Sequence, residues 1–447
     1  MKRFSNLRHL YNEQFSGPAG SVFRGMSTLA LGTGTARLLG VVSIPLLTRI
    51  YSPEDYGVLA VFTSLVALLV PFLTLRYVTA LPLPRTNAMA MNLMALSALL
   101  LLGLTATITA VLAVFGSKIL GLVSMQILAP WWGLIALGVL GAGIYEMLSM
   151  WATRRRAYKI IAKTQVTQAF TGQAIKIGLG LLSIKPLGLL IGQIAAQSGG
   201  IGSFVKRFHL DFQQERRKIT WQRMKFIACY YRSFPIYRLP SQVLLVFSAQ
   251  APLLFCAALY DGKTTGQLGL AMMSLTMPIT LIGNSMAKAY YAEMTIIKNV
   301  PGKVRSVTME VQKKLFIIGT PLALVIAFFG QDLFSLVFGE KWSLAGKFSS
   351  LLSFFTLLQL TSSPLMQVLN FSRSQLSFLV LNAIRTLGLF AIFLSAKICG
   401  LDSYSFVASL GIFLFVFYGG VSIWVFKIIS GEARSVSGIR SGRQGEK

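Results

Sequence analysis

The chain has 447 residues, of which 54% are hydrophobic and only 13% charged, with a mean hydropathy of +0.66. Soluble domains carry about a quarter charged residues, so a water-soluble fold of this length is excluded and a polytopic membrane protein is indicated. The net charge of +28 would suit a nucleic-acid binder, but its placement along the chain accounts for it otherwise.

The apolar runs are about 20 residues long and not short alternating segments, which points to an all-α bundle and away from a β-barrel. Twelve spans are expected near 27–48, 57–75, 89–115, 128–150, 164–184, 187–205, 234–258, 265–287, 314–337, 347–369, 376–397 and 404–426. With the N-terminus inside, thirty Lys and Arg fall in cytoplasmic segments and seven outside. That asymmetry obeys the positive-inside rule and puts both termini in the cytoplasm. The bases then face anionic membrane lipids, and no nucleic acid is required. The layout is a tail at 1–26, an N-lobe at 27–205, a linker at 206–233, a C-lobe at 234–428 and a tail at 429–447, with the two six-helix lobes around a central cavity.

The first span carries Gly32, Gly34, Arg37, Gly40 and Pro45, and a polar turn from Tyr51 to Gly57 leads into the second. Tyr260 and Gly266 repeat that six-residue spacing after the seventh span, an internal echo that suits a two-lobe transporter. In the linker, Phe208, Phe212, Ile219, Trp221, Met224 and Phe226 alternate with bases, as in a helix lying along the inner membrane surface.

Five bases remain within the spans. Arg37, Lys176 and Arg385 lie near mid-span; Arg238 and Lys288 lie toward cytoplasmic ends, where snorkelling is the alternative. An ionisable group at membrane depth is costly and marks function. No Asp or Glu matches these cations at depth. Glu146, toward the cytoplasmic end of the fourth span, is the nearest and is the candidate for ion coupling. An anionic substrate would complete the set, and guanidinium suits phosphate because its planar fork bonds two oxygens at once. Gly32, Gly34, Gly40, Pro45, Pro235 and Pro240 are candidate hinges, since proline and glycine break helix bonding in the spans. The only histidines, His9 and His209, and the scattered Cys229, Cys256 and Cys399 share no metal spacing. No phosphate-binding loop and no nucleophile–base pair is present. No metal, cofactor or enzymatic activity is expected.

The stretch Pro45-Leu46-Leu47-Thr48-Arg49-Ile50-Tyr51-Ser52-Pro53-Glu54-Asp55-Tyr56-Gly57 resembles the signature after the first helix of bacterial polysaccharide-biosynthesis flippases. These belong to the multidrug/oligosaccharidyl-lipid/polysaccharide exporter superfamily. Leu75-Arg76-Tyr77 through Ala80-Leu81-Pro82-Leu83-Pro84, Tyr230-Tyr231-Arg232-Ser233-Phe234-Pro235, and Phe338-Gly339-Glu340-Lys341-Trp342 with Ala345-Gly346 agree with it. The resemblance implies twelve helices, alternating access, and transfer of undecaprenyl-diphosphate-linked oligosaccharides from the cytoplasmic to the periplasmic leaflet. That is a step of O-antigen or exopolysaccharide assembly in the bacterial inner membrane, beside a polysaccharide polymerase and a chain-length regulator. Arg37 resembles the first-helix arginine thought to meet the diphosphate in related lipid II flippases, with a looser match at Arg76. A multidrug or cation antiporter of the same superfamily and a non-transporting scaffold of a glycan assembly complex are the alternative expectations.

Overall fold

Backbone surrounded by lipid must satisfy its polar groups internally, which a helix does within one segment. The structure, a computed structural model, describes residues 20–121, 126–283, 286, 290, 301–362, 365 and 375–444. Among these it is helical throughout, with no strand. It divides into two compact units. One comprises residues up to 51 and 62–243; the other comprises 52–61 and 244 onward.

Unit 1 contains α1 (Gly20–Ile50), most of α2 (Pro53–Leu73), α3 (Asn87–Gly121), α4 (Trp132–Arg154), α5 (Tyr158–Leu181) and α6 (Leu187–Ser198). It continues with α7 (Ile201–Arg216), α8 (Trp221–Tyr230) and a π turn at Phe234–Arg238. Unit 2 contains the first turns of α2, nearly all of α9 (Leu239–Leu259), α10 (Gly262–Pro278) with a π turn at Ile279–Gly283, α11 (Pro301–Phe338), α12 (Ser343–Ser362), α13 (Gln375–Cys399) and α14 (Ser403–Gln444).

Among the described residues, eight helices are long and apolar enough to cross a bilayer. Within the expected spans near 164–184, 187–205, 265–287 and 347–369 the described residues are also mostly helical, in helices that are shorter or more polar. The sixth breaks at Gly199–Gly200, where Gly200 takes a left-handed φ of 89° and lies against Thr164. Hydroxyls inside the helices return to the carbonyl one turn back, as Thr33 does to Leu29 and Ser43 to Leu39, so they cost little in lipid.

The linker is built into unit 1. Asn92, fully buried on α3, accepts from the Thr220 amide and donates to the Lys218 carbonyl, both at 3.0 Å. Arg155 pairs with Asp211 at 2.8 Å, and the Trp151 ring packs on Phe212.

In unit 2 the first turns of α2 cross the start of α10 with backbone against backbone. A Cβ on Gly57 would run into the Gly262 carbonyl, and one on Gly266 into the Pro53 carbonyl and the Gly57 amide. Only glycine permits that approach. Asp55 caps α2 by accepting from the Ser52 amide, and Asp261 caps α10 by accepting from the Thr264 amide, which holds both helix starts in place. Replacing Gly57 or Gly266 by valine is therefore expected to lower unfolding stability by about 1–3 kcal/mol or more, the range for forced overpacking. Gly34→Val, where nothing lies within 4 Å of the new Cβ, is the control with little effect. Thermal unfolding of the purified protein followed by tryptophan fluorescence measures the contrast.

Candidate functional site

In unit 1, α1 lies along α5. Gly32 abuts Ala162, the Thr33 hydroxyl donates to Gln165 Oε1 at 2.7 Å, and Gly40 faces the Gln173 amide. Arg37 is one turn beyond Thr33 and three residues before Gly40, so the helical repeat puts it on the edge of that same stripe. It is half-buried. The seam therefore combines one guanidinium with the side-chain amides of Gln165 and Gln173. The Gln173 carbonyl oxygen is buried and accepts no hydrogen bond from the described residues.

Lys176, further along α5, is 6% exposed, and its ammonium donates to Gln193 Oε1 of α6 at 2.8 Å. Its backbone carbonyl accepts from the Tyr51 hydroxyl at 2.7 Å. Lys176 is thus enclosed between helices, with its ammonium turned to α6.

Arg76 and Glu146 form an ion pair at 3.0 Å, with side chains 13% and 22% exposed. The pair depends on a turn in which Leu75 and Arg76 both take left-handed backbone, at φ 45° and 62°, a conformation that costs non-glycine residues energy. Nearby, Arg154 donates to the Pro84 carbonyl at 2.6 Å and to Asn87 at 3.1 Å, and the Tyr77 hydroxyl donates to the Ala228 carbonyl. Arg238 is exposed on the π turn before α9, with its guanidinium 6.0 Å from the centre of the Phe234 ring. Pro235 sits in that turn, and Pro240 follows directly after it within the helix that runs on from Phe234 to Leu259. Pro45 lies inside α1, which continues through it. Lys288 lies outside the described residues.

In unit 2, Arg385 of α13 is half-buried and meets only neutral oxygens among its hydrogen-bond partners. Its Nε and Nη2 donate to Ser248 Oγ of α9, Nη2 also to the Leu245 carbonyl at 3.3 Å, and Nη1 to the Tyr418 hydroxyl of α14 at 3.1 Å. Gln359 of α12 donates to the same Tyr418 oxygen at 3.1 Å, and its own carbonyl oxygen is buried without a partner among the described residues. Each unit thus holds a half-buried arginine and a glutamine with an unused acceptor. Neither constellation includes a metal-ligand cluster; among the described residues there is no group of three His, Cys, Asp or Glu that could hold a metal ion.

The family model described as "Polysaccharide biosynthesis protein" matches residues 46–346. The chain belongs to that polysaccharide biosynthesis family. Among curated proteins none matches the sequence. Among solved structures, the lipid II flippase MurJ in its inward closed conformation is similar at 14% identity, over 91% of this chain and 90% of that one, with a TM-score of 0.67. A mutant of the Vibrio cholerae MATE transporter VcmN is similar at 14% identity over 93% and 98%, TM-score 0.58. The eukaryotic MATE transporter AtDTX14 is similar at 13% identity over 93% and 99%, TM-score 0.53. The fold is that of the multidrug/oligosaccharidyl-lipid/polysaccharide exporter superfamily, and the protein is a multi-pass membrane protein.

The stretches that carry the family resemblance meet in space. Tyr56 packs edge-on against Trp342 at 4.9 Å, and Gln267 donates to the Lys341 carbonyl and accepts from the Ala345 amide. Both contacts lie beside the Gly57 crossing in unit 2. The Leu75–Pro84 stretch and the Tyr230–Pro235 stretch both belong to unit 1, where Arg76, Arg154 and Tyr77 tie them to α4 and α8. Ser248, Gln359, Tyr418, Gln165 and Gln173 are site residues that a reading of charges alone passes over. Their signal is a polar side chain inside an apolar span.

The Arg76–Glu146 pair yields a measurable expectation. Arg76→Gln or Glu146→Gln alone leaves an uncompensated charge and is expected to cost about 3–5 kcal/mol. The double variant is expected to cost less than the sum of the two, a coupling that a double-mutant cycle of unfolding free energies reads directly.

Proposed function

We propose that the protein is a flippase that moves a polyprenyl-diphosphate-linked oligosaccharide from the cytoplasmic to the periplasmic leaflet of a bacterial inner membrane, for surface polysaccharide assembly. The two lobes alternate access to a cavity, and both termini face the cytoplasm. The observation that carries this reading is the Arg385 guanidinium, charged at any relevant pH and held by serine, tyrosine and a backbone carbonyl. Neutral oxygens orient such a group without cancelling its charge, which leaves it ready for an anion. Family membership and the MurJ-like fold support the same substrate class.

Arg37 and Arg385 take the diphosphate, and Arg238 meets it at the cytoplasmic entrance. Gln173 and Gln359 offer carbonyl acceptors to sugar hydroxyls. Lys176 joins only if α5 separates from α6. Arg76 and Glu146 act as a pair, so an ion coupled at Glu146 must first displace its arginine. The polyprenyl tail stays in lipid.

Removing one charge-assisted contact is expected to lower transport about tenfold or more. The measurement is leaflet transfer of a fluorescent undecaprenyl-diphosphate sugar in proteoliposomes, comparing wild type with Arg37→Gln and Arg385→Gln. Arg385→Lys keeps the charge but loses the fork, and is expected to fall between. Wild-type transfer in both glutamine variants would overturn the assignment. Drug efflux in place of lipid transfer would favour the antiporter.

A further inference from the structure

A groove of about 320 Å³ runs between α3 and α7 in unit 1, within the size range of small-ligand sites. Its floor is Met91, Met94, Ala95 and Ala98, one stripe of α3 at helical spacing, and its wall includes Phe212 and Ile219. The lining is apolar except for Gln213 and Arg216 on its α7 side. Arg216 is exposed, and among the described residues its guanidinium has neither an ion-pair nor a hydrogen-bond partner. The Asn92 clamp on Lys218 and Thr220 fixes the turn that follows Arg216 to α3, so the groove is a held feature of the fold.

The next helix places this region at a depth. On α8, Met224 and Ile227 are buried against the unit, while Trp221, Phe226 and Tyr230 are 59%, 58% and 70% exposed. Arg223 and Lys225 are exposed beside them. Outward-facing tryptophan and tyrosine mixed with bases is the composition of a helix seated at the lipid headgroup layer. Arg216 and Arg217, a few residues earlier, belong to that same layer, with an apolar slot leading away from them.

We infer that the α3–α7 groove binds one acyl chain of an anionic phospholipid of the surrounding leaflet, with Arg216 on its phosphate. The methionines suit a flexible chain because their own side chains adapt to it, and a basic pocket on the cytoplasmic side of a helical bundle suits an anionic headgroup. The bound lipid would join the linker to the third span.

The test uses the full-length protein in nanodiscs of equimolar phosphatidylglycerol and phosphatidylethanolamine, with retained lipid counted by native mass spectrometry. Wild type is expected to retain phosphatidylglycerol over phosphatidylethanolamine. Arg216→Gln is expected to lower that retention about fivefold, the effect of one base near an anionic surface. Ala95→Phe fills the groove and is expected to lower it as well. Arg216 is exposed, so its variant keeps the fold even if the phenylalanine does not. Equal retention of both lipids by wild type, or undiminished phosphatidylglycerol in Arg216→Gln, would overturn the site. So would displacement of the phospholipid by an equal concentration of polyprenyl phosphate, which would put the groove on the substrate's route instead.

Discussion

A cation inside a helical membrane bundle must find oxygen, because lipid supplies none and an unsolvated charge costs several kcal/mol. Four bases among the described residues satisfy that demand in different ways. Lys176 takes a glutamine carbonyl, Arg76 a carboxylate, Arg154 two backbone carbonyls and an asparagine, and Arg385 a serine, a tyrosine and a backbone carbonyl. The choice of acceptor decides what the base can still do. A carboxylate cancels the charge and locks the pair. A set of neutral oxygens fixes direction and leaves the field intact. Arg385 is of the second kind and Arg76 of the first, which is why the proposed binding role rests on Arg385.

Glycine handles the complementary problem of bringing backbones together. The crossing of α2 on α10 leaves no room for side chains at Gly57 and Gly266, so the contact is made by backbone dispersion and capped helix ends. The neighbouring Tyr56–Trp342 pair and the Gln267 bridge anchor the turn after α11 to the same place. Small-residue contacts between membrane helices are close, because van der Waals packing is the main attraction left when lipid is as apolar as leucine.

The bilayer makes helices legible: its thickness sets their length, and each of the twelve apolar runs has helix in it. The paired tyrosine–glycine spacing was legible too, and it has a physical meaning. Gly57 and Gly266 touch, while Tyr51 and Tyr260 each donate to a carbonyl elsewhere in their own unit, those of Lys176 and Leu401. The oxygens that receive the bases were not legible. Ser248 lies 137 residues from Arg385, and Arg76 lies 70 from Glu146; no periodicity links them. Arg76 read as a loop base because the apolar run ends just before it. Only the left-handed turn at Leu75 and Arg76 swings it back toward α4. The break at Gly199–Gly200 was hidden by an apolar run that continues across it.

The linker shows how one composition can serve two purposes. Its bases fit the charge asymmetry expected of a cytoplasmic segment, a requirement any arrangement of the same residues would meet. The helical phase adds something that count does not contain. Met224 and Ile227 turn inward, Trp221 and Tyr230 turn outward, and Asn92 fixes the preceding turn to the third span. An orienting signal needs none of this order. A buried asparagine that spends its amide on two linker backbone groups holds the linker in one position against its unit.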